Sequence, residues 1–253
     1  MRSFVVSFCA AVLFGSFAAA VVRGQGRQAQ QAPDFSGVWV SPFAPGQALD
    51  SWDLNDPRGK NPEGLPLTAW GLEKLRAARP PFGANQTFEN TTDPVQKYCD
   101  TRGVTRLYLY PWQFTIVQTP ETVYILYEFS RVWRSVTMNR EHPKDPDTTW
   151  LGDSVGKYEG DTLVVDTVGF NDKTWLDHVG HPHSEQLHLV ERFRRTDPNT
   201  LELDVTFDDP KAYTRTWSSK KIFRLSHSPM GETVCSMSEN EAFNKRVIQG
   251  MTK

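Results

Sequence analysis

Four of the six histidines in this chain fall within eleven positions, in TWLDHVGHPHSEQLHLVERF, residues 174–193. His181, His183 and Glu185 stand at i, i+2 and i+4. An extended backbone would aim all three the same way, as two imidazoles and a carboxylate must be aimed to hold zinc or iron. Asp177–His178 and His183–Glu185 offer a second chemistry. An imidazole, with an unperturbed pKa of about 6.5, can move protons on a bound small molecule near neutral pH when a carboxylate partners it. A third reading is structural, with the histidines as hydrogen-bonding residues of a polar surface loop. Pro182 removes a ladder donor, and a remote further ligand has no clear candidate beyond His142 or His227. The expectation is therefore proton chemistry or loop structure, with no preformed metal site and no cofactor.

Other residues could share that chemistry. In LHLVERF, Leu187, Leu189, Glu191 and Phe193 lie on one face, so Glu191 is expected to point inward. A buried carboxylate needs a partner such as Arg131, Arg134 or a loop histidine. Glu128 poses the same question in YILYEF, where periodicity leaves open whether Tyr124–Leu126–Glu128 or Ile125–Tyr127–Phe129 faces inward. Tyr127 is a candidate hydrogen-bond donor. Trp112, Glu128, Trp133, Trp150, His181 and His188 are candidate substrate contacts, although most aromatics of such a chain belong to its core. GDSVG at residues 152–156 matches G-x-S-x-G, but it stands in a β-rich pattern without the helix that positions such a nucleophile, and no glycine-rich phosphate loop occurs, which argues against a serine hydrolase of that type and against a nucleotide cofactor. A glycosidase with paired carboxylates stays open, because separation in space is not written in the sequence.

The elements that must position these residues are mostly strands. Residues 1–24 read as a signal peptide, with Arg2, an apolar run too short to span a membrane, and Ala18-Ala19-Ala20 before cleavage. This predicts a secreted or periplasmic protein without a transmembrane segment in the mature chain. Residues 25–33 read as a disordered leader, and 34–253 as a single domain. Gly/Pro/Asp/Asn-rich loops fill 41–66 and 81–104, around one helix in LTAWGLEKLRAARP that Thr68 can cap and Pro80 ends. Period-two patterning then gives strands at 113–119, 122–129, 131–138, 154–159, 162–168, 186–194, 201–207 and 215–225, added to a first strand at 35–40. That many strands exceed one flat sheet. The predicted fold is all-β, a single antiparallel β-barrel with one short helix and long N-terminal loops. Cys99 and Cys235 are disulfide candidates, two unpaired thiols being the alternative. A net charge of −2 with intermixed signs argues against a nucleic-acid partner. The sequons at Asn85 and Asn90 read as a polar loop.

SGVW in the first strand resembles the glycine–x–tryptophan start of the lipocalins. That resemblance implies a lipocalin-like, calycin-like meander in which Trp39 closes the barrel bottom beneath an arginine, here Arg215 or Arg224. WLGDSVGKYEGDTLVVDTVGFND, HPHSEQLHLVERFRR and DPKAYTRTW resemble a large family of secreted bacterial proteins without a settled activity. The opening His-x-His is also similar to a cupin metal site, but His188 stands where a cupin glutamate belongs. Two functions lead. One is a secreted barrel enzyme performing cofactor-independent acid–base chemistry of the isomerase, cyclase or lyase type on a small apolar molecule. His178 or His183 would be its base, with Glu185 or Glu191 as partner. The other is a non-catalytic carrier of an apolar ligand, with a metal-dependent cupin-like enzyme a further alternative.

Overall fold

The computed structural model describes residues 32–42, 51–56, 59–78, 90–109 and 112–238. The expected signal peptide, most of the expected leader, Pro80 and Asn85 lie outside the described residues. Nine strands close into a barrel in chain order: β1 (Gly37–Val40), β2 (Phe114–Gln118), β3 (Thr122–Tyr127), β4 (Trp133–Met138), β5 (Asp153–Glu159), β6 (Thr162–Val168), β7 (His188–Asp197), β8 (Thr200–Asp208) and β9 (Trp217–Ser226). Every segment with a period-two pattern became a strand. β1 pairs with both β2 and β9, which closes the sheet and removes the exposed edges of an open one.

One pairing departs from the antiparallel expectation. β4 and β5 run parallel and pair only through Thr137↔Val155 and Met138↔Gly156. Parallel neighbours cannot be joined by a tight turn, so residues 139–152 form a crossover that lays the start of β5 along the last half of β4. The helix count departs too. α1 (Ala69–Ala78) is the expected helix, with Thr68 Oγ1 accepting the Gly71 N–H at 3.0 Å. α2 (Pro94–Tyr98) and α3 (Gly103–Leu107) lie in or against the stretch read as irregular. Five residues are too few to show a helical period. What marks α2 is its start, where Asp93 accepts the Val95 N–H at 3.0 Å and Pro94 occupies the first turn.

Alternation along each strand fills the interior. Ile125, Tyr127, Arg134, Val136, Leu189, Glu191, Phe193, Leu203, Val205, Phe207 and Phe223 are all buried. This settles the two faces of β3, for Ile125 and Tyr127 point in. Tyr108, just after α3, packs at 5.6–6.1 Å from the rings of Phe114, Tyr127, Phe193 and Phe223. Of the candidate site residues, Tyr127 belongs to this packed aromatic cluster.

Trp39 is fully buried, and its indole donates to Phe35 O at 3.0 Å. The cation over its ring is Arg195 of β7, at 5.2 Å, not Arg215 or Arg224. Arg215 is exposed on a loop, and Arg224 donates to the Thr200 hydroxyl. Cys99 and Cys235 form a disulfide that ties the end of α2 to the segment following β9. The same segment pairs Thr233 with Phe129.

Candidate functional site

The candidate residues divide among four places. The first is the barrel core. Glu191 Oε1 accepts from Arg134 Nη1 and from the Tyr108 hydroxyl, both at 3.0 Å, and Tyr127 donates to Tyr108 at 2.8 Å. Glu191 Oε2 lies 2.6 Å from Arg134 Nη2 as an ion pair, without hydrogen-bond alignment. Ser154 and Thr167 accept from the same guanidinium at 2.9 and 2.5 Å. Burial opposes the charge on Arg134, and Glu191 outweighs it, holding the guanidinium above its ordinary range. Burial likewise pushes the Tyr127 and Tyr108 hydroxyls up. Glu191 points inward, as its face predicted, and its partner is Arg134. Buried throughout, with Glu191 at 0% exposure and Arg134 at 2%, this network reads as structure.

The second place is the outer surface. His188 donates to Asp166 at 2.9 Å, and His142 sits between Asp153 at 2.7 Å and Asp166 at 2.9 Å. The Asp166 bond holds His188 above its ordinary range. Trp133 is 60% exposed and lines a shallow apolar hollow with Val117, Tyr124 and Leu126. A third group adjoins Trp133, for Tyr127, Glu128 and Trp133 line a common hollow of about 190 Å³ with Arg131 and Met230. Trp112 packs on Phe129 at 4.7 Å, and Glu128 accepts from Gln113 N–H at 3.1 Å and the Thr233 hydroxyl at 3.2 Å. Trp150 meets Lys173 at 5.7 Å.

The fourth place is the histidine loop, 171–187, laid over Trp52. Trp52 is a plate between that loop and the strands. Its indole donates to Leu176 O at 3.0 Å, while its carbonyl accepts from Ser219 of β9 at 2.6 Å. Asp177 pairs with His181 and not with its neighbour His178. Its Oδ2 takes His181 Nδ1 at 2.5 Å, and its Oδ1 takes the Val179 and His181 N–H groups at 3.0 and 3.2 Å. His181 Nε2 meets Pro62 O at 2.7 Å. Both ring nitrogens thus face acceptors. Burial opposes the His181 charge, and Asp177 outweighs it, so its pKa is raised. Burial also works against the Asp177 carboxylate, yet His181 holds its pKa low. The raised histidine contributes stability fully present below its unfolded value and lost as pH rises through the folded one. The depressed aspartate contributes stability present above its unfolded value and lost as pH falls through its folded one. Between those limits the pair is a clasp.

His178 takes the Arg106 guanidinium at 3.3–3.4 Å, while Arg106 itself is paired with Asp93 at 2.8 and 2.5 Å. Burial, then Arg106 and Arg102, push the His178 pKa well down. Glu185 is exposed, away from any partnership with His183. His183 instead places Nε2 2.7 Å from Thr174 Oγ1 and Nδ1 3.2 Å from Ser184 O. A carbonyl only accepts, so Nδ1 carries the proton and the Nε2 lone pair faces the threonine. Burial pushes the His183 pKa down, and the imidazole is neutral. His183 and Thr174 line a cleft of about 270 Å³ with Trp70, Lys74, Thr92, Asp172 and Trp175. His181 and His183, which an extended backbone would have aimed the same way, are committed to different partners. Among the described residues no three His, Cys, Asp or Glu side chains are grouped to hold a metal.

Sequence reasoning did not single out Thr174, Trp70, Trp175 or Lys74. The signal available was the first two residues of the quoted stretch, Thr174 and Trp175. Gly103 backs this site. It has φ +72°, and a Cβ there would stand 2.7 Å from Thr174 Oγ1. Gly103→Ala is expected to cost about 1–2 kcal/mol from the left-handed backbone alone and to push Thr174 off His183. Thermal melting and the His183 ring resonances check both. No family model, no curated protein and no solved structure matches the chain. Among the described residues no helix is long and apolar enough to cross a membrane.

Proposed function

We propose that the protein is an enzyme of an oxidising, extracytoplasmic compartment. It works on a small, largely apolar molecule by acid–base chemistry in the cleft between α1 and the histidine loop. The observation that carries this reading is His183, a neutral imidazole of fixed tautomer on a cleft bounded by two tryptophans. Nε2 is the base, the Ser184 carbonyl orients the ring, and Trp70 and Trp175 hold the ligand. The cleft volume is at the lower end of small-molecule sites, which suits a compact ligand. Glu191 and Tyr127 belong to the scaffold under this reading. The Cys99–Cys235 disulfide supports the compartment.

The test is untargeted turnover of a small-molecule extract by the parent chain and by His183→Asn. A molecule consumed by the parent and spared at least ten-fold by the variant is the expected result. Equal consumption by both removes His183 from the chemistry. The carrier reading rests on the same cleft, and native mass spectrometry separates it: a ligand that is bound and returned unchanged identifies a carrier.

A further inference from the structure

The proposed function leaves one feature of the cleft unused. The His183 lone pair does not face empty space but a hydroxyl, Thr174 Oγ1, at 2.7 Å, and the opposite ring nitrogen is held by Ser184 O at 3.2 Å. Ser184 is in turn clamped, its N–H and hydroxyl donating to Asp209 at 2.6 and 2.8 Å. A hydroxyl within reach of a base, with that base oriented by a third group, is the arrangement that activates an alcohol as a nucleophile. Thr174 is itself held from behind by Gly103.

We propose that Thr174 is a nucleophile that accepts the acyl group of a small carboxylic ester, with His183 as its base and Asp209 as a positioning residue. This deepens the proposed function and rests on it. Thr174 Oγ1 adds to the ester carbonyl carbon while its proton passes to His183 Nε2. The C–O bond to the alcohol then breaks, and the alcohol leaves with that proton. Water attacks the acyl-threonine, giving a proton to Nε2. The acid departs as the bond to Oγ1 breaks and Oγ1 regains the proton. The sum is ester plus water to acid plus alcohol. The imidazolium formed midway has the carboxylates of Asp209 and Asp172 in its field, and Lys74 lines the cleft where it can polarise the carbonyl oxygen. An imidazole oriented by a carbonyl lacks the directly bonded carboxylate of a full triad. That favours esters over amides, because an alcohol leaves more readily than an amine.

Phenylmethylsulfonyl fluoride tests the assignment on the full chain, since an activated hydroxyl displaces its fluoride. Peptide mapping by mass spectrometry is expected to place one sulfonyl group on Thr174, with release of p-nitrophenol from p-nitrophenyl acetate blocked in the labelled protein. Thr174→Val and His183→Asn should each label at least ten-fold more slowly, and Thr174→Ser should label at least ten-fold faster than Thr174→Val. An unlabelled parent, a label elsewhere, or undiminished labelling of Thr174→Val overturns the nucleophile, and mapping on the parent decides this even if a variant fails to fold. A molecule turned over equally by parent and Thr174→Val but spared by His183→Asn removes the nucleophile and leaves the acid–base reading standing.

Discussion

Arg134→Ala is expected to lower folding stability by about 3–5 kcal/mol, the cost of leaving a buried charge without its partner. Glu191 is fully buried, and among the described residues Arg134 is the cation bonded to it. The variant also strands the Tyr108 and Tyr127 hydroxyls around an uncompensated carboxylate. Against typical domain stabilities of about 5–15 kcal/mol, the loss removes a large share of the total. Urea unfolding followed by tryptophan fluorescence measures it. Arg134→Met with Glu191→Leu should be far less harmful than Arg134→Ala, because removing both charges removes the desolvation penalty along with the attraction. A double variant as unstable as the single one would show that the cost is lost packing, not an unpaired charge.

Asp177→Ala has the second largest expected effect, also about 3–5 kcal/mol. The carboxylate accepts from Trp52 N–H at 3.3 Å, Val179 N–H at 3.0 Å and His181 at two nitrogens. Its loss leaves the buried His181 ring without its counter-charge and backbone donors without acceptors. The damage should be local first. Hydrogen exchange is expected to rise across 171–187 and around Trp52 and Pro62 before the barrel strands respond. Exchange confined to the strands, with the loop still protected, would contradict the clasp.

The barrel was readable because strands advertise themselves. In β8, Leu201, Leu203, Val205 and Phe207 alternate with exposed or half-buried polar residues, and that period survives any arrangement of neighbours. The parallel pairing of β4 with β5 left no such trace, since it depends on where the crossover 139–152 travels. Glu191 was legible as an inward carboxylate from its strand face. Its partner was Arg131, Arg134 or a loop histidine until β4 was placed beside β3 and opposite β7. The histidine loop was the least legible part. Its spacing suggested one converging set, but an irregular backbone sends His178, His181 and His183 to Arg106, Asp177 and Thr174 respectively. Trp70 of α1 reaches the cleft only through tertiary packing, which no local pattern encodes.

The most direct test of the central claim is the tautomer and charge of His183, read from imidazole ¹⁵N shifts across a pH titration. His183 is expected to be neutral with its proton on Nδ1 at pH 7 and to titrate below its ordinary value, as burial dictates. In the same spectra His181 and His188 should titrate above theirs. A neutral Nδ1–H ring keeps the lone pair on Nε2, facing Thr174 and available to take a proton in the cleft. A His183 found doubly protonated at pH 7, or neutral with its proton on Nε2, has no base to offer there and contradicts the account.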